Sequence, residues 1–173
     1  MLRLASLLLA LTYLPAAAFA QTAPDKAFED RVNRVLSEKL NLTSTEQTID
    51  QASADTAVRT LINGDPQVVL LGNARVVGQL DDGTPSQLAF NIILLPDANT
   101  TVASANVREF ANRWNGQQIP LKIIAQNNSV AVVVSRLIDL NYPMSDDEIV
   151  GMYVFMMQTW PRILADLRKS NIF

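Results

Sequence analysis

Apolar residues return along this chain with two different periods, and a change of period marks a change of structure. Phe28, Val32, Val35 and Leu36 recur three and four positions apart through KAFEDRVNRVLSEKL. That is the spacing of one helical face, and it predicts a helix over about Asp25–Leu40 with a polar outer side. The run TSTEQTIDQASAD behind it holds no sustained apolar period and reads as a polar linker. Ser53 then stands where it can cap a short helix carrying Ala57, Val58, Leu61 and Ile62, stopped at Asn63-Gly64 ahead of Pro66.

From Gln67 the pattern turns to β-branched and apolar runs. QVVLLG, ARVVGQL and SQLAFNIILL are split by Gly72-Asn73 and by Asp81-Asp82-Gly83-Thr84. They predict a three-stranded antiparallel meander, with a bulge inside one long strand as the other reading of Gly72. Val107, Phe110, Ala111 and Trp114 go back to helical spacing. They give a helix starting near Ser104 and ending on Asn115-Gly116 as a left-handed cap. Two more strands, IPLKIIAQ and SVAVVVSRLIDL, join across Asn127-Asn128, and a long helix runs from about Asp146 to Lys169. The sum is an α+β domain over residues 53–173: an antiparallel sheet of about five strands packed by a long C-terminal helix. A helical arm and linker over residues 21–52 precede it.

The chain opens MLRLASLLLALTYLPAAAFA, a basic residue followed by an apolar run, a proline and small residues up to Ala20. That order of parts is expected of a secretory signal peptide cut before Gln21, which implies a periplasmic or secreted protein. The apolar core from Leu4 to Leu14 is shorter than the roughly 20 residues that span a bilayer, so no membrane span is expected after cleavage. Without Arg3, 13 basic residues face 17 acidic ones. Such a surface argues against nucleic acid, whose phosphates need clustered Lys and Arg.

Cysteine and histidine are both absent. No disulfide can support the fold, and the Ser-His-Asp and Cys-His nucleophiles and the imidazole or thiolate metal sites are removed with them. No cofactor is expected. Carboxylates, lysines and hydroxyls are what remains for catalysis. Asp81 and Asp82 form one close acidic pair, but with Gly83 they read as a hairpin turn. The triplet Asp146-Asp147-Glu148 follows Ser145 at capping-box spacing and reads as a helix start.

The last helix carries the most informative surface. Ile149, Met152, Tyr153, Met156, Trp160, Ile163, Leu164 and Leu167 form a continuous core-facing stripe. Val150, Val154 and Met157 widen the apolar arc to about 200° in the first three turns, and Phe155 projects from the polar side. Beyond Met1, every methionine (Met144, Met152, Met156 and Met157) falls in this segment. Methionine is pliable and is over-used on surfaces that accept partners. Val150, Val154, Phe155, Met157 and Met144 are therefore the candidate protein-binding residues, against a plainer reading in which sheet and arm bury the strip. Pro161 should kink the helix near Met157.

The order of elements also carries a resemblance. Asn112-Arg113-Trp114-Asn115 closes a short helix, the hairpin IPLKIIAQNNSVAVVVSRLIDL follows, and Ser145-Asp146-Asp147-Glu148 opens a long helix. This resembles the YbjN family, described as bacterial sensory transduction regulators and similar in fold to type III secretion chaperones. The likeness covers about Ser53 to Lys169. Family members usually carry glycine just before the final cap, where this chain has Tyr142-Pro143-Met144. The resemblance brings no catalytic residues. It implies a non-enzymatic, exported regulator or chaperone-like module that binds a protein partner or a second copy. The rival expectation is an envelope hydrolase or metal-dependent enzyme using Asp81, Asp82 and a further carboxylate brought near in space.

Overall fold

In the computed structural model, helix α1 (Ala23–Leu40) leads into strands β1 (Ser44–Asp50), β2 (Asp55–Ile62), β3 (Asp65–Gln79) and β4 (Pro85–Pro96). Helix α2 (Ser104–Asn115), β5 (Lys122–Gln126), β6 (Ser129–Asp139) and α3 (Asp146–Lys169) follow. The structure describes residues 23–50, 55–62, 65–96, 104–117, 120–126, 129–170 and 172. The expected leader, the cap at Ser53, the stop at Asn63-Gly64 and the turn at Asn127-Asn128 lie outside them.

The class is α+β as expected, but the sheet has six strands, in the order β1-β2-β3-β4-β6-β5, all antiparallel. Two expectations fail in the first third of the chain. The first part of the linker forms strand β1, and the segment from Asp55 to Ile62 expected as a short helix is strand β2, with Thr45 opposite Arg59 and Gln47 opposite Ala57. In β2 the residues Thr56, Val58, Thr60 and Ile62 are all β-branched at alternate positions. This period-two signal is stiff at χ1 and favours a pleated strand over a helix.

The third difference is at Gly72-Asn73. No turn forms: β3 continues through it in unbroken register, Gly72 opposite Ile92 and Asn73 opposite Asn91. The irregularities in this pairing come later, at Val76–Gly78 and Gly78–Gln79. Glycine is needed at position 72 because a Cβ there would collide with the hydroxyl of Tyr153. The turn signal at Asp81–Thr84 is real: Gly83 has φ 83° and its amide donates to the Leu80 carbonyl at 2.9 Å.

One face of the sheet and all three helices enclose the main core, which includes Phe28, Val32, Leu36, Leu70, Phe90, Ile92, Phe110, Trp114, Ile149 and Tyr153. A smaller cluster on the other side of the strands, Ala57, Val69, Leu71, Ile93, Ala131 and Val133, is built from strand residues alone. Phe28 meets Phe90 edge-on with ring centroids 5.1 Å apart, so α1 is a packed layer on the sheet. It ends on Asn41, whose φ of 51° lets the Leu42 amide reach the Leu36 carbonyl at 3.0 Å.

The long helix starts as its sequence requires. The Glu148 amide donates to Ser145 Oγ at 3.2 Å and the Ser145 amide donates to the Glu148 carboxylate at 2.8 Å, a complete capping box. Asp146 accepts from Arg31 Nε at 2.7 Å and Asp147 from Lys39 Nζ at 2.7 Å, so the same acidic turn ties α3 to α1. The Arg31 guanidinium holds the Asp146 carboxyl below its ordinary value, with burial opposing. From this start α3 runs through Pro161 as one element. Among the described residues no helix is long and apolar enough to cross a membrane.

Candidate functional site

Of the stripe that its spacing predicts, helix α3 buries Ile149, Tyr153, Met156, Trp160, Ile163 and Leu167, while Met152 and Leu164 at its edges are only half-buried. The candidate binding residues do not share one surface. At about 100° per residue, Val150, Val154 and Met157 fall on one flank of the buried stripe and Phe155 on the other. Asp146 and Asp147 lie to either side of the azimuth of Val150, and their partners Arg31, Arg34 and Lys39 all belong to α1. Helix α1 therefore lies along the Val150 flank, which accounts for the widened apolar arc there. Val150, Val154 and Met157 are half-buried, and Val150 and Met157 pack against the core. Met144 is only 5 % exposed and contributes floor, not surface.

The opposite flank carries a hollow, although its Met152 and Phe155 are half-buried and pack against the core as Val150 and Met157 do. A groove of about 280 Å³ lies beside α3, lined by Gly151, Met152, Phe155, Pro120 and Val134 over buried Met144. At its rim Arg136 approaches Glu148 at 3.4 Å, both about half exposed. Glu148, Gly151, Met152 and Phe155 sit at offsets of three and four, so they form one stripe along the helix. In that stripe Gly151 has open space where its side chain would be, with no atom within 4 Å of a Cβ. A glycine inside a helix costs about 1 kcal/mol relative to alanine, and no contact among the described residues calls for it.

The acidic pair of the rival reading stands at a hairpin tip. Asp81 and Asp82 are exposed, and the Asp82 carboxylate accepts from the Thr84 amide at 2.8 Å, which lowers its pKa. Among the described residues no group of three or more acidic side chains is placed to hold a metal ion. A polar hollow of about 470 Å³ lies at the end of α1, and its Arg34 is engaged by Glu38 at 3.0 Å and by Asp146 at 3.5 Å.

Sequence reasoning missed a polar seam under α1. Glu29 is buried, and its carboxylate accepts from Thr56 Oγ1 at 2.8 Å and from the Ala74 amide at 2.9 Å. Asn73 completes the seam by donating to the Thr56 carbonyl at 2.8 Å. Beside it Asp55 is buried and paired with Arg75. The Tyr153 hydroxyl, fully buried, has no hydrogen-bond partner among the described residues. Burial, and then the charge of Glu29, push its pKa far above the ordinary value of 10.0. The signal was in the helix: Asp25 and Glu29 occupy the apolar stripe that continues through Val32 and Leu36, where an acid is rarely left unpaired.

No family model matches the chain, and neither the curated proteins nor the solved structures contain a match.

The phrase that carried the resemblance has a clear structural use of its own. Trp114 is buried against Phe110, ring centroids 6.3 Å apart, as its spacing predicts. The expected left-handed cap is absent, since among the described residues Gly83 is the one glycine with positive φ. Instead the Asn115 side chain reaches β5: its Nδ2 donates to the Ile123 carbonyl at 2.9 Å and its Oδ1 accepts the Ile123 amide at 2.7 Å. Arg113 lies over the Phe110 ring at 5.7 Å and donates to Ser170 Oγ at 3.1 Å, joining α2 to the end of α3.

Proposed function

We propose that the protein is an exported, non-enzymatic binding module of the YbjN kind, a regulator or chaperone-like protein that takes hold of other protein through the Phe155 side of α3. The observation that carries this reading is the hollow lined by Gly151 and the half-buried Met152 and Phe155 beside buried Met144, on the flank of α3 away from α1. Adaptable methionines around an accessible aromatic ring suit a surface that accepts polypeptide. The absence of cysteine and histidine supports a binding role over nucleophilic chemistry. The apolar leader ending at Ala20 supports export.

The test is crosslinking in the periplasm followed by pull-down, comparing the wild type with Phe155→Asp. Loss of captured protein in the variant, with an unchanged circular dichroism spectrum, supports the reading. Identical capture by the two proteins overturns it. Sequencing the amino terminus of the mature protein tests export separately, and Gln21 is the expected first residue.

A further inference from the structure

We propose that Met152 is a site of reversible oxidation, at which a peroxide converts the thioether to a sulfoxide and so turns one wall of the α3 groove from apolar to polar. The inference goes beyond the reading of the groove as a docking surface and stands on the sulfur chemistry of this segment alone.

With no cysteine in the chain, methionine carries all of its reversible sulfur redox chemistry. Met144, Met152, Met156 and Met157 lie close together in sequence, yet they differ in how an oxidant can reach them. Met144 is 5 % exposed and Met156 1 %, so both sulfurs are shielded in the folded chain. Met157 is half-buried, packs against the core and falls on the flank along which α1 lies. Met152 is half-buried too, but it lines the hollow on the other flank. Gly151 beside it carries no side chain, and a Cβ there would meet no described residue. A small oxidant therefore has a way in at Met152 that the other three sulfurs lack.

The reaction needs no catalytic group. A lone pair on the Met152 sulfur attacks one oxygen of the peroxide, the S–O bond forms as the O–O bond breaks, and the departing oxygen takes the proton and leaves as water or an alcohol. Sulfur loses two electrons, the peroxide gains them, and a methionine sulfoxide reductase reverses the change.

The product no longer suits its surroundings. A sulfoxide oxygen is a hydrogen-bond acceptor, and burying it without a donor is costly. Pro120, Val134 and Phe155 offer it no side-chain donor, whereas Arg136 lines the same hollow and holds Glu148 only at 3.4 Å, a long contact that is readily exchanged. The oxidised side chain thus turns toward Arg136 at the rim and gives up its packing against the core. Oxidation loosens α3 at one defined place.

Purified protein is exposed to limiting hydrogen peroxide, and each methionine is followed by mass spectrometry of fragmented peptides, with urea-unfolded protein as the reference. In the folded chain Met152 should react at least about fivefold faster than Met144, Met156 and Met157, a difference that unfolding removes. At the dose that converts Met152, the urea midpoint of the wild type should fall by about 0.5 M and recover on treatment with methionine sulfoxide reductase. Met152→Leu, a swap of similar volume, should keep its midpoint at that dose. If that variant fails to fold, Gly151→Leu takes its place: a side chain filling the open space should slow oxidation of Met152 at least about threefold. Equal rates at the four sulfurs, a faster Met157, or a wild-type midpoint unmoved by conversion of Met152 overturns the inference. The Phe155→Asp pull-down judges the docking reading separately, since none of these rates depends on a captured partner.

Discussion

Two glycines, both in contact with the environment of α3, have opposite surroundings. Gly72 lies under the helix, and the hydroxyl of Tyr153 occupies the place its side chain would take. Gly151 lies on the outside of the helix, two residues before Tyr153, and a Cβ there would meet no described residue. The inner glycine is explained by the fold, and replacing it must damage the fold. The outer one weakens the helix and has no described neighbour that requires it, so replacing it should leave the fold intact. A missing side chain is informative only once its neighbours are known.

The largest expected effect sharpens the inner half of this comparison. Gly72→Ala should cost about 3 kcal/mol, read from urea unfolding, since the new methyl group overlaps a phenol that has nowhere to go. Tyr153→Phe alone should be neutral or stabilising by up to about 1 kcal/mol, because the hydroxyl it removes is buried without a partner. The double variant should recover most of the loss, because after the hydroxyl is gone the nearest atoms to the methyl lie at 3.5 Å. Additive losses would break the assignment of Gly72 to Tyr153. The phenol also fixes an alkaline limit. Its folded pKa is raised, so the stability it confers is whole below its ordinary value of 10.0 and is lost as pH climbs above it. Tyr153→Phe should flatten that decline in unfolding midpoint.

Glu29→Ala comes next, at about 2 kcal/mol. It leaves the Ala74 amide and the Thr56 hydroxyl without their acceptor in a buried seam. A loss under half that size would mean that water replaces the carboxylate.

The outer half gives the opposite sign. Gly151→Ala should stabilise the chain by about 0.5–1 kcal/mol, measured by urea unfolding, because a methyl group there meets no described residue. A destabilised variant would show that position 151 is constrained from within after all.

The smallest effect concerns the α1 side of the helix. Arg31 depresses the pKa of Asp146, so the pair's contribution is present above the ordinary carboxylate value of 3.8 and is lost as pH falls through the lower folded value. Asp146→Asn should make the unfolding midpoint less dependent on pH below about 4. An unchanged acid limb would show that the pair adds nothing in solution, as is common for exposed ions.

Much of the fold was legible because it is written in local periods. Both later helices, the capping box at Ser145 and the turn at Gly83 follow from residues a few positions apart. The first third was not, and its errors have physical causes. β2 alternates threonine with valine and isoleucine, and counting threonine as merely polar hid the period-two pattern that its branched Cβ expresses. β1 is polar apart from Ile49 and is a strand because β2 pairs with it, a fact no window of sequence contains. Gly72 looked like a turn because a glycine beside asparagine usually is one, and its true partner is 81 residues away. The groove was half legible. Phe155 was singled out, but the arc from Val150 to Met157 was read as one surface because α1 was placed outside the domain.

The carboxamide of Asn115 has one more consequence. By offering Ile123 both an acceptor and a donor it stands in for a peptide group of a strand that does not exist, on the outermost strand of the sheet. A bare outer strand is a template on which another chain can lengthen the sheet, the route to uncontrolled aggregation. One side chain closes that route at β5.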